Sequence, residues 1–283
     1  MKFRILKKYF GIKKEDVVFE DDTEKEVVDF CYIDEQGFII LFSDSVGVLS
    51  DNNLTYISSG VNRPTFVYYD KKLDRCYMAD RIGVIKEIDF KFGAISDYMG
   101  SKSKDIINGY FSKYNNCPYK DACGVGVNGE IYYVNSFLNK CIKITPSGIK
   151  DIVGNGRADF SVSNDLRYCQ LSHPEGVIYD KGKIYIADSG NNCIRMVNNL
   201  KIKTIAGQPK QEGDEDGGIN NSLLTHPSKM VIENNLIYFI DQSKIKYLSV
   251  DNCVGTMYES DYNIISLDSK NKDLYVLEEI CND

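Results

Sequence analysis

The chain has 283 residues, 43% of them hydrophobic, and a formal net charge of −7. That is ample apolar material for a large core, while the acidic balance argues against broad phosphate-backbone binding, which depends on Lys and Arg displacing counterions. Twenty Tyr and thirteen Phe stand against no Trp, a composition that suits strands, whose pleated surface accommodates aromatic and branched side chains.

The first stretch, MKFRILKKYFGIKK, carries six basic and no acidic residues. Arg4, Lys7 and Lys8 interrupt its apolar residues, so it forms no signal-peptide core, and no later run nears the roughly 20 apolar residues of a membrane helix. Alternation in KFRILKKYF and DVVFE predicts two strands there instead. Next come six related units, each an apolar strand, a turn, a second strand and a polar turn: YIDEQGFIILFSD, VYYDKKLDRCYMAD, VGVNGEIYYVN, GVIYDKGKIYIAD, MVIENNLIYFID and ISLDSKNKDLYVLE. They end at Asp44, Asp80, Asn135, Asp188, Asp241 and Glu278. Third and fourth strands such as CIRMV and KIKTIAG follow, giving four per unit. Such a unit cannot bury both faces alone; stacked around an axis it can, which is the logic of a β-propeller.

The last unit stops after its second strand, at DLYVLEE. Residues 1–20 supply the missing outer strands and close the ring, so the expectation is one all-β domain over 1–283, a six-bladed propeller of four-stranded blades. Three insertions follow fourth strands: GSKSKDIINGYFSKYNNCPYKDA, GNGRADFSVSNDLRYCQLSHP and GQPKQEGDEDGGINNSLLTHP. Segments of this length carry function or small local structure, and NDLRYCQL reads as a short helical turn. The acids of EGDEDGG lack EF-hand spacing and read as a solvated loop. GNGRADF and GVGVNG are glycine-rich, but neither joins a parallel strand to a helix N-terminus, so neither is a phosphate cradle.

The pattern TIAG…G…DGG…N…L…HP, with HPEGVIYDKGKIYIADSGNNCIRMV, resembles the NHL-repeat β-propellers, most fully over residues 148–250. The resemblance implies a central channel lined by the inner strands. It also implies that the turn before each inner strand and the turn after each second strand share one face. That face would gather Arg63, Arg81, His173, Glu175, Asn192, Arg195 and His226 as a surface for a protein or peptide partner. The six recurrent acidic or amide residues, from Asp44 to Glu278, are read as caps on the next backbone N–H groups, since each blade needs one. The two His rings are expected to pack in the grooves between blades.

Similar propellers include an amidating lyase and sugar lactonases with metal-binding or catalytic groups at the tops of inner strands. The corresponding positions here are Phe30, Thr65, Cys123, Glu175, Ser228 and Asn263. Only Glu175 is acidic; Asp29 and Asp261 lie close by in sequence, so Glu175, Asp261 and Asn263 are the candidates for a calcium ion, which wants six to eight oxygens. Nine scattered Cys, with no C-x-x-C pair, and two His fit reduced thiols in a cytoplasmic protein better than a disulfide framework or structural zinc. The preferred reading is therefore a monomeric, non-enzymatic scaffold with no cofactor, no membrane contact and no catalytic residues. The alternatives are a metal-dependent hydrolase or lyase at the channel mouth and, third, an RNA-binding propeller.

Overall fold

The structure, a computed structural model, describes residues 2–9, 12–13, 16–20, 25–33, 37–59, 61, 63–79, 85–90, 92–97, 122–127, 129–145 and 148–280. Six antiparallel sheets follow one another along the chain. The first blade runs Val27–Ile33, Gly37–Phe42, Ser45–Ser50 and Asn53–Ser59, the second Phe66–Asp70, Arg75–Ala79, Ile85–Asp89 and Ala94–Asp97. The third is Ala122–Val127, Glu130–Asn135, Lys140–Thr145 and Gly148–Val153, the fourth Gly176–Asp180, Lys183–Asp188, Cys193–Asn198 and Lys201–Ala206. In the fifth, Pro227–Glu233, Leu236–Asp241, Lys244–Leu248 and Cys253–Glu259 gain the short strand Gly217–Gly218 at the edge. Each inner strand touches the inner strands of both neighbours, and the first and sixth close the circle. The protein is a six-bladed β-propeller.

The sixth blade is built from both ends of the sequence. Asn263–Lys270 and Asp273–Ile280 form its inner half, and Lys2–Tyr9 adds to the latter, antiparallel, with Leu6 opposite Val276. Val17–Glu20 then pairs with Lys2–Tyr9, as does Ile12–Lys13 farther along it. Arg4 fastens this junction, its guanidinium donating twice to the buried Glu278 carboxylate at 2.7 and 3.1 Å.

The core is distributed. Each of six buried clusters fills the interface between two adjacent blades, as strands that alternate apolar residues on both faces require. The glycines of GVGVNG serve this packing: a Cβ at Gly124 would meet the Phe66 ring at 2.4 Å, and one at Gly126 the Tyr68 ring at 2.3 Å. They admit aromatic rings from the second blade, each buried Phe contributing about 1.5–3 kcal/mol. The short helical turn expected in NDLRYCQL is a 3₁₀ turn at Leu166–Tyr168, capped by Asp165. Among the described residues no helix is long and apolar enough to cross a membrane.

Candidate functional site

The antiparallel order places the turns before the inner strands and those between second and third strands on one face, here the upper face. Its polar residues first serve the backbone. Asp188 Oδ1 accepts the Ser172 N–H at 2.7 Å, and Asp241 Oδ1 the Thr225 N–H at 2.9 Å. Asn135 Oδ1 accepts from Phe137 and Leu138. A second device joins successive blades: Asn139 Oδ1 accepts the His173 N–H at 2.8 Å, and Asn192 Oδ1 the His226 N–H at 2.9 Å. Both His residues take positive φ, 46° and 61°, immediately before the Pro that opens the next inner segment. Asn135 caps the N–H groups that follow it, as expected, whereas Asp188 and Asp241 instead reach back 16 residues to the turn before the inner strand. Glu278 accepts from Arg4, Tyr258 and Ser260, Asp44 pairs with Lys25 at the surface, and Asp80 lies outside the described residues.

The His rings are not packed between blades. His173 is exposed, its Nδ1 3.1 Å from Ser172 Oγ. His226 is exposed too, and its Nε2 lies 2.8 Å from Glu175 Oε1. The reason is backbone direction: the positive φ that satisfies the N–H turns each side chain outward. Arg63 shares that geometry, with φ 44°, its N–H on Ser43 O and its side chain exposed. Asn192 is half-buried as a latch, and Arg81 lies outside the described residues.

Arg195 requires a correction, because it is fully buried and offers nothing to a partner. Its guanidinium donates to Gln170 O at 2.7 Å and Ser161 O at 3.0 Å, lies 3.4 Å from Asp188 Oδ2, and covers the Phe160 ring at 4.5 Å. It holds the insertion ahead of the fourth blade. Lys246, at the same third position of the fifth blade's third strand, is likewise buried and reaches Asp214 at 2.6 Å and Asp216 at 2.9 Å. The acids of EGDEDGG are exposed, as expected of a solvated loop, and two of them, Asp214 and Asp216, are in addition paired with lysines of their own blade.

The calcium candidates do not converge. Glu175 is engaged with His226, and Asp261 and Asn263 are exposed near the start of the sixth blade's inner strand. Among the described residues no three His, Cys, Asp or Glu side chains are grouped so as to hold a metal ion. Asp29, the carboxylate nearest in sequence to the first blade's candidate position, is buried and already neutralised. Lys229 Nζ contacts both its oxygens at 2.8 and 2.7 Å, Ser266 Oγ donates at 2.5 Å and the Val67 N–H at 2.9 Å. Four inner strands thereby meet at one ion pair. Sequence reading missed Lys229; its signal is a lysine in PSKMVIE at a position where the neighbouring fourth blade has Gly176.

Below this pair, toward the turns that follow the inner strands, the channel widens into a cavity of about 280 Å³. All six inner strands contribute, through Tyr32, Tyr69, Val125, Tyr179, Ile232 and Leu267 among others. Asp268 forms part of the wall; burial pushes its carboxyl up to about 6, against the Tyr32 and Ser269 N–H groups it accepts.

Residues 171–195 match the family model described as the NHL repeat. The fourth blade carries an NHL repeat. The NHL match begins at the insertion's last turn and ends at Arg195, so it spans Ser172, Asp188, Asn192 and Arg195, the caps, latch and staple just described. No curated protein sequence matches the chain significantly. Solved structures similar to it include an auxiliary nutrient binding protein from Bacteroides thetaiotaomicron, with 14% identity and a TM-score of 0.60 over 82% of this chain and 59% of that one. The NHL-bearing chain therefore spans less than two thirds of that protein's length. A chain of a nidogen/laminin complex is similar at 12% identity and TM-score 0.58, covering 92% of each chain. A gluconolactonase from Xanthomonas campestris is similar at 10% identity and TM-score 0.59, over 90% of this chain and 86% of that one. At such identities the likeness is one of fold.

Proposed function

We propose that the protein is a non-enzymatic, monomeric binding module of the cytoplasm whose upper face receives a protein or peptide partner. The observation that carries this reading is the Asp29–Lys229 pair. The carboxylate that reaches the channel centre has both oxygens committed to an ammonium group, so a cation there would have to displace Lys229 and leave it buried against a second positive charge. The upper face offers exposed, non-convergent side chains, Arg63, His173 and His226, on backbone fixed by hydrogen bonds. Preorganised contacts of this kind suit recognition, because little ordering is left to be done on binding. Burial of Arg195 weakens the RNA reading, which needs its cations at the surface. The free thiols of Cys31, Cys76, Cys141, Cys169 and Cys193 fit a reducing compartment.

Two of the similar structures are described by binding or complex formation and one by lactone chemistry. A hydrolase reading keeps one supporting feature, the 2.8 Å contact between His226 and Glu175 at the channel mouth, a geometry that a general base would share. One experiment separates the two. Affinity capture from native lysate should recover a partner with the wild type and lose it with a triple variant, Arg63→Glu, His173→Glu and His226→Glu; equal recoveries overturn the upper-face assignment. Turnover of a simple lactone by wild type, abolished in Glu175→Gln, would establish the hydrolase instead.

A further inference from the structure

We infer that a groove between the fourth and fifth blades, open on the lower face, docks a peptide segment of a partner protein that carries apolar residues between acidic ones. The surface is separate from the upper face. Strand pairing lines up Tyr185, Met196 and Lys203 across the fourth blade, and Ile232, Ile237 and Leu248 across the fifth. Apart from Lys203, both rows pack on one buried cluster. A groove of about 300 Å³ remains between them, near the lower end for small-ligand pockets. It reaches the lower turns of both blades through Lys181, Asn235 and Val250. Tyr185, Met196 and Ile232 stay half-buried, so its floor is apolar and accessible.

The rim is basic on a chain whose net charge is −7. Lys181 is held by Asn235 Oδ1 at 3.2 Å and by Asp180 at 3.7 Å. Lys183 and Lys203 also line the groove, and among the described residues neither makes a hydrogen bond or ion pair. Three lysines therefore face one aspartate, Asp180, in the lining. In the turns alongside, Lys201 and Asp251 offset each other, so an excess of two positive charges remains. Lys183 and Lys203 lie on the second and fourth strands, to either side of Met196 on the third. Val250, at the mouth, is 72% exposed, and Leu200, in the equivalent hairpin turn of the fourth blade, is 78% exposed. Leu200 holds φ 61°, a conformation that Gly takes without the steric cost of a Cβ, and nothing in the fold accounts for a leucine there. Exposed apolar tips beside an open apolar floor mark a contact surface. A bilayer cannot reach a recessed floor, and a phosphate backbone would leave it unfilled. A peptide with apolar side chains at its centre and carboxylates at both ends covers the floor and meets Lys183 and Lys203.

The probes are the blocked hexapeptides DELFDE, NQLFNQ and KKLFKK, which share an apolar centre and differ in charge. Fluorescence anisotropy should show DELFDE binding the wild type, NQLFNQ more weakly and KKLFKK most weakly, with added salt narrowing the differences. In NMR, DELFDE should shift the amides of Tyr185, Met196 and Leu248. The double variant Lys183→Glu, Lys203→Glu should weaken DELFDE by about tenfold and place KKLFKK ahead of it. Lys203→Gln, at an exposed position, is the milder form of the same test, and melting curves show which variants are folded. No DELFDE binding at millimolar concentration, equal binding of the three peptides, or DELFDE affinity unchanged in the folded variants would overturn the assignment. So would attachment to phosphatidylserine vesicles with DELFDE unbound. The upper-face triple variant should bind DELFDE as wild type does, so failure here and failure of the upper-face reading are distinguishable.

Discussion

Asp241 shows how a cap on a turn becomes a pH-sensitive contribution to stability. It is buried, and that burial pushes its carboxyl up to about 7, opposed by the Thr225 N–H and by Lys246. Asp188, also raised first by burial, reaches about 6, although Ser172, Asn191 and Arg195 all favour its charge. A carboxyl whose folded value lies above its unfolded value binds its proton more tightly when folded. Its stabilising effect is complete below the unfolded value, near 4, and is lost as pH rises through the folded one. Surface carboxylates held low by lysines, Asp44 beside Lys25 and Asp214 beside Lys244 and Lys246, act in the opposite sense and only at lower pH. The melting temperature should therefore peak near pH ~5 and fall toward pH ~8. Asp241→Asn keeps the acceptor for Thr225 but removes the charge, so it should flatten that decline and exceed wild type by about 1–2 kcal/mol at pH ~8. A decline as steep as in wild type would show that Asp241 ionises without cost.

At the scale of the element, the third strands of the fourth and fifth blades explain why two long insertions stay ordered. Pairing between third and fourth strands shifts register between Ile194 and Arg195, and again between Ile245 and Lys246. Such an irregularity re-aims the neighbouring side chain, here a cation directed beneath the insertion. The consequences of removing the two should differ. Arg195→Met would strand the carbonyls of Gln170 and Ser161 and leave buried Asp188 without its cation, a loss of about 3–5 kcal/mol. Lys246→Met leaves Asp214 to Lys244 and Asp216 to Thr256, and the two carboxylates, 48% and 44% exposed, can hydrate, so about 1 kcal/mol is expected. Hydrogen exchange should then quicken at Gly213, Glu215 and Leu223, whose amides bond within the insertion, while the strands of the fifth blade stay protected. Quickened exchange throughout that blade would refute a local role. This device also marks the limit of what could be read from residues alone. Six units, the cap at Asn135 and the use of residues 1–20 were legible because strand alternation and turn chemistry are local, whereas Asp188 and Asp241 reach amides 16 residues back. Burial of Arg195 was not, because a strand position next to apolar Ile194 reads as solvent-facing until the bulge is known. Nor was Asp29–Lys229, since the partners lie in the first and fifth blades and meet only across a closed ring.

Closure is the property of the whole molecule on which the others depend, because every blade interface and the channel itself require a complete circle. Lys2–Tyr9 carries it: Phe3 and Ile5 lie in the cluster that holds Phe19, Tyr275 and Leu277, and Leu6 packs on the opposite side with Val276 and Leu274. Arg4 adds the charge complement to Glu278, whose other oxygen accepts from Tyr258 and Ser260. A chain lacking residues 1–20 would lose both apolar faces of this strand, leave Glu278 buried without its cation, and open the edge of Asp273–Ile280. An unpaired edge of this kind invites pairing with another chain. The truncated protein should melt lower by on the order of 10 °C and form concentration-dependent oligomers in light scattering. A synthetic peptide of residues 2–20 supplied in trans can pair with the open edge as an added strand, and should restore both the light-scattering mass and the melting temperature of the full chain. The same peptide with Arg4→Glu places like charge against Glu278 and should rescue poorly. A melting temperature and light-scattering behaviour unchanged by truncation would mean that the ring holds without its N-terminal strand.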